Sequence, residues 1–261
     1  MKSLLVTSLL LFGSLVLLNS CNKIDFLQYL ENHKGNLQVY RSSSVDLGKG
    51  KASSWITVSH LGAPVEIGVE LTRQSLYDLP DTNFSVVVPL PPRAKELTPF
   101  DHIHIGWSAH GHPVLGHDSL SFIGPHYDFR FFMTTVEEQL AIPAPTDPSA
   151  KFNVHPPEGY MPATYFPNLG GFQGVGQHWN EKIGFAGIRH EMVLGSYNGK
   201  VTFIAPIVII EELRSGNSSS TPYAQPKRFQ EHNTYYPTKY NVYPDASGQK
   251  EEVTLSDFVR R

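Results

Sequence analysis

Two β-branched, apolar-rich runs, Phe185 to Ser196 and Lys200 to Glu211, meet around Asn198-Gly199. Both positions of a tight hairpin turn need positive φ, which Asn and Gly tolerate best. This pair is therefore the strongest short-range hairpin signal in the chain, and it predicts a long antiparallel ribbon in the core. Apolar and polar residues also alternate in Asn36 to Arg41, Ser53 to His60 and Pro64 to Thr72, a period that suits half-buried strands. Ser85 to Leu90 is rich in Val and closed by Pro89, Pro91 and Pro92. Proline cannot donate to a ladder, so this strand should stop sharply or lie at a sheet edge. One short helix is expected, because Thr135-Val136-Glu137-Glu138 matches a capping box ahead of Gln139 to Ala141 and Pro143 then stops it. About ten strand-like segments and one helix predict an all-β fold, a sandwich or barrel, with long loops. A doubly wound fold would lack its helices.

The N-terminal residues have a different character. Residues 1 to 20 carry an early Lys2 and then an apolar run from Leu4 to Leu18, the pattern of a secretory signal peptide, too short for a transmembrane helix. The run ends Leu17-Leu18-Asn19-Ser20-Cys21, which resembles a bacterial lipobox. Cys21 is the single cysteine of the 261 residues, so lipidation would leave a mature domain with neither a disulfide nor a stray thiol. The expected organisation is a lipoprotein signal peptide over 1–20, a tether and entry over 21–40, and one all-β domain over 41–261. The aromatic-rich C-terminal segment should wrap back onto this domain and add a strand around Glu251 to Leu255. The expected address is the cell envelope, held to the membrane through Cys21. Asn22 favours the outer membrane, facing the periplasm, by analogy with the sorting rules of enteric bacteria. A formal charge of -3 without a basic stripe argues against a nucleic-acid partner.

Histidine marks the candidate site. Of 12 histidines, His102, His104, His110, His112, His117 and His126 fall within one window of 25 residues. On a strand, His102 and His104 share one face while Ile103 and Ile105 share the other. By the same rule His126, Asp128 and Arg130 line one face, with Tyr127, Phe129 and Phe131 directed to the core. His110-Gly111-His112-Pro113 offers a second closely spaced pair on a turn, and His178 follows the Gly-rich stretch Gly170 to Gly176. That stretch lacks the strand, helix and Lys-Ser/Thr ending of a phosphate loop and reads as a loop over the site. No G-x-S-x-G or other nucleophile motif is present, so no catalytic residue is assigned from a motif.

Imidazole and carboxylate suit a divalent transition metal, zinc foremost. The candidate ligands are His112, His126 and His178, with His104, Asp128 and His102 as further members. A metal with an open position would activate water, and Glu191 or Asp128 would then serve as a base. The alternative is a metal-free polar site in which Asp128 orders His126 and Arg130 captures an anion such as a carboxylate or phosphate. In that case the protein is a non-enzymatic envelope binding or scaffold protein. Clustered imidazoles would also allow pH sensing.

The motifs Phe100-Asp101-His102, Trp107, Gly111-His112-Pro113, Pro125-His126-Tyr127-Asp128-Phe129, Gln177-His178-Trp179 and Gly195 to Phe203 resemble an uncharacterised bacterial family. That family is typified by a sigma-E-controlled hypothetical protein of Thermus. The resemblance runs from about Val58 to Val253-Thr254-Leu255 and includes Tyr235-Tyr236-Pro237 and Tyr240. It implies an all-β domain and a homo-oligomer, a ring or dimer, and it brings no established reaction or small-molecule ligand. The family's second strand reads His-Phe-Asp-Phe-His, so His126 and Asp128 match while Arg130 stands where a further histidine is expected. Arginine cannot ligate a metal, so either His102 or His104 supplies the missing ligand or the site here binds an anion.

Overall fold

The structure, a computed structural model, describes residues 37–111, 124–168, 170–181 and 188–261. The signal peptide, Cys21, most of the tether and His112 lie outside the described residues. The strands in chain order begin with β1 (Leu37–Arg41), β2 (Val45–Leu47), β3 (Gly50–Ser59), β4 (Pro64–Thr72), β5 (Phe84–Pro89) and β6 (His102–Ser108). Next come β7 (His126–Phe132), β8 (Tyr165–Pro167), β9 (Gln177–Glu181), β10 (His190–Tyr197) and β11 (Lys200–Ile209). The last are β12 (Ser219–Pro222), β13 (Tyr235–Tyr236), β14 (Lys239–Pro244), β15 (Lys250–Ser256) and β16 (Val259–Arg260). Three short helices interrupt them: α1 (Pro92–Leu97), α2 (Val136–Leu140) and α3 (Ile210–Ser215).

Two antiparallel sheets, neither closed on itself, form a sandwich. The first runs β1-β3-β4-β15-β14-β12, with β2 paired to β3, and the second runs β5-β6-β7-β11-β10-β9-β8. Period-two alternation decides what lies between them. In the second sheet Ile103 and Ile105 of β6 and Tyr127, Phe129 and Phe131 of β7 face inward and are fully buried. They meet Ile56, Ile67, Val69, Val253 and Leu255 of the first sheet. Burying such side chains contributes about 1.5–3 kcal/mol each, so this layer dominates stability. On the opposite face of the second sheet Phe132, Val175, Val193, Phe203, Ala205 and Ile207 make a second apolar cluster. That outer face is therefore covered as well.

The expected hairpin is β10–β11, and Asn198 and Gly199 take φ of 48° and 79°, as the tight turn requires. The Pro-closed strand β5 is an edge strand of its sheet. The capping box is present at α2, where the Thr135 hydroxyl accepts from the Glu138 N–H and the Glu138 carboxylate accepts from the Thr135 N–H. Several boundaries depart from the sequence reading. The run Lys200 to Glu211 leaves the sheet after Ile209, because Glu211 and Glu212 suit the first turn of a helix, and α3 follows. Pro92 does more than stop β5; it occupies the first turn of α1, where its missing N–H costs nothing. The strand expected around Glu251 to Leu255 is β15. It lies between β4 and β14 inside the first sheet.

Candidate functional site

The site residues stand on the outer face of the second sheet, where β6, β7 and β11 run side by side. Register sets their neighbours: His104 lies opposite Arg130, Gly106 opposite Asp128 and Ser108 opposite His126. On the other side Ile207 of β11 is level with Asp128, and Glu191 of β10 is level with Ile207. His126, Asp128 and Arg130 are all buried, with exposures of 0%, 3% and 7%. The row is the inside of a covered face.

Arg130 organises this face. One terminal nitrogen donates to Asp128 Oδ2 at 2.9 Å, and the other donates to His104 Nδ1 at 3.4 Å. Burial first, and the Arg130 charge second, hold the His104 imidazole down at about 3, so it is neutral at physiological pH and accepts from the guanidinium. His126 Nδ1 donates to Gly124 O at 3.0 Å, which turns Nε2 toward Asp128 Oδ2 at 3.9 Å. Arg130 also needs room above the sheet. Gly106 supplies it, since a Cβ there would lie 2.6 Å from Arg130 Nη1. Gly106→Ala should destabilise the fold by about 1–3 kcal/mol in chemical denaturation, with most of that loss absent in an Arg130→Met background.

The remaining candidates separate. His102 is buried and stacks on Phe132, with ring centroids 5.1 Å apart. Its Nδ1 faces Asp101 Oδ2 at 3.1 Å and its Nε2 faces Gln139 Oε1 at 2.7 Å. Both ring nitrogens of His102 are thus engaged by neighbouring protein oxygens. His178 is buried on β9 between the rings of Phe172 and Phe203. Three inter-strand steps of about 4.8 Å separate β9 from β7. Along the strands His178 is level with Gly195, Phe203 and Phe132, six residues from His126, a further ~20 Å. The structure therefore does not bring His126 and His178 together. The imidazole of His110 pairs with Asp81 at 3.3 Å on the exposed surface. Among the described residues no group of three His, Cys, Asp or Glu side chains is placed to hold a metal.

Glu191, the other residue expected to serve as a base, stands on β10. Burial pushes its carboxyl up to about 8, against the hydrogen bond it accepts from Asn180 at 2.5 Å, so it is protonated at neutral pH. Gln139 was not singled out from sequence. It is 1% exposed, fixes His102 through Oε1 and donates from Nε2 to Gly174 O at 2.8 Å, tying α2 and the Gly-rich loop to β6. Its only signal in the chain is its place directly after the capping box.

The fold and this face define an all-β sandwich carrying a buried His/Asp/Arg network on the outer face of one sheet. Residues 59–107, from the end of β3 through β4 and β5 to Trp107 in β6, match the family model TTHB210-like, described as hypothetical protein TTHB210. The chain is thus similar over that stretch to an uncharacterised domain family typified by a hypothetical protein from Thermus. No curated protein and no solved structure matches the chain.

Proposed function

We propose that this chain is a cell-envelope protein, tethered to the membrane by a lipid on Cys21, that works as a binding or scaffold protein with a metal-free His/Asp/Arg site on β6 and β7. The observation that supports this reading is the position of Arg130, between Asp128 at 2.9 Å and His104 at 3.4 Å. A fixed positive charge there opposes a divalent cation with about 8 kcal/mol at 4 Å and an effective dielectric of 20, a penalty that the Asp128 carboxylate offsets only in part. The same geometry changes the expected role of Arg130. Its anion is Asp128, so capture of an external carboxylate or phosphate would have to displace an internal partner. The polar row is then a device that fixes β6 against β7, and self-association into a homo-oligomer is the scaffold role that accords with it.

A metal centre remains the second reading, and one detail favours it. His126 directs Nε2 toward Asp128 while Nδ1 donates to a carbonyl, the usual support for a metal-ligating histidine. In that reading His126 and Asp128 would be members of the set that holds a zinc-like ion. Elemental analysis of the full chain purified without chelator decides between the two. The expected result is less than about a tenth of an equivalent of any transition metal, with none taken up on titration. A stoichiometric metal lost in His126→Ala would overturn the metal-free reading.

A further inference from the structure

The inward face of β15 carries a group that does not belong in a core. Alternation places Glu251, Val253 and Leu255 on one side; Val253 and Leu255 are fully buried, and Glu251 is 5% exposed, level with the core residue Leu71 of β4. Its Oε1 is buried without a hydrogen-bond partner. Burial pushes the carboxyl up to about 8 even though Arg73 pulls the other way. A buried acceptor without a donor costs about 1–3 kcal/mol.

Glu251 lines a cavity of about 190 Å³ at one end of the sandwich, between the turn after β4, α3 and the β14–β15 hairpin. Leu76 and Leu213 give it apolar walls, and Arg73 and Arg214 flank the ring of Tyr77 at 5.9 and 5.0 Å from its centroid. Arg214 is held further by two hydrogen bonds to Leu76 O, at 2.9 and 2.6 Å. Among the described residues neither arginine forms an ion pair with Glu251. Cations thus stand on one wall, Glu251 on another, and hydrocarbon between them. The complementary molecule carries an anion, a neighbouring hydrogen-bond donor and a short apolar body. An apolar cavity of about 150 Å³ holds benzene, so this one holds about seven or eight non-hydrogen atoms.

We propose that this cavity binds a small α-amino or α-hydroxy acid with a short apolar side chain. The carboxylate meets Arg73 and Arg214, the ammonium or hydroxyl donates to Glu251, and the hydrocarbon lies against Leu76 and Leu213. Calorimetric titration of the purified full chain with L-valine, α-hydroxyisovalerate and isovalerate tests this. The first two should bind saturably and isovalerate, which lacks the donor, about ten-fold more weakly, the value of one hydrogen bond. Glu251→Met, which removes the acceptor, should reduce that discrimination to within about three-fold, and Arg214→Lys should weaken all three by about ten-fold. Failure of all three ligands to bind wild type at millimolar concentration would overturn the proposal, as would isovalerate binding as tightly as valine. Neither comparison needs a variant to fold, and neither depends on the metal content of the β6–β7 face.

Discussion

Asp128→Ala is expected to lower the unfolding free energy by about 3–5 kcal/mol, because it leaves the Arg130 guanidinium buried without its carboxylate. Arg130 is 7% exposed, and its two terminal nitrogens are engaged by Asp128 and His104 alone among the described residues. His104 is a neutral acceptor and cannot balance the charge. The double replacement Asp128→Leu/Arg130→Met should recover most of the loss, since two apolar groups of similar volume remove both desolvation penalties together. Urea denaturation of the two single variants and the double variant measures the coupling. If Asp128→Ala cost under about 1 kcal/mol, the pair would behave as an exposed ion pair and the central role given to Arg130 would be lost.

Stability should fall as pH rises from about 6.5 to 8.5. Three buried carboxyls, Glu66, Glu191 and Glu251, are each pushed up to about 8, with burial the largest cause in every case. A carboxyl raised in the folded state binds a proton that the unfolded chain has released. Its stabilising contribution is complete below the unfolded value near 4.5 and is lost as pH passes through the folded value. One such group sets a slope of about 1.4 kcal/mol per pH unit, so even one of the three removes ~2 kcal/mol between pH 6.5 and 8, several degrees in Tm. His104 acts in the opposite sense: held down at about 3, it withdraws stability as pH falls below its ordinary value. The carboxyls outnumber it between about pH 4.5 and 6.5, so stability already falls across that range and the optimum should lie at its acid end, near about pH 4.5. Thermal melts across this range check the direction, and Glu66→Gln should flatten the alkaline limb. A Tm that is level or rising above pH 7 would contradict the burial of these groups.

Much of the sandwich was legible in the chain because strand alternation is a local signal. The two faces of β6 and β7, the Asn198-Gly199 turn and the capping box at Thr135 each follow from residues a few positions apart. Glu251 follows the same alternation with Val253 and Leu255, but a lone Glu beside two apolar residues carries no local signal of its burial. The site was only partly legible. Histidine clustering along the chain located β6 and β7, whereas His178, which follows the Gly-rich stretch, stands on β9 with β11 and β10 between. Proximity in sequence carries no information about how many strands separate two residues in a sheet. The engagement of both His102 nitrogens depends on Gln139 arriving from α2, a contact across 37 positions that no local pattern encodes.

By itself the sequence determined which side chains share a face, where the chain turns and that the domain is built of strands. These depend on backbone sterics and on periodicity over two to four residues. Only the tertiary structure decided the order of strands in each sheet, and with it that Arg130 stands between Asp128 and His104 while His178 stands apart. Strand order is set by the burial of two whole sheet faces at once, a cooperative term distributed over the entire chain.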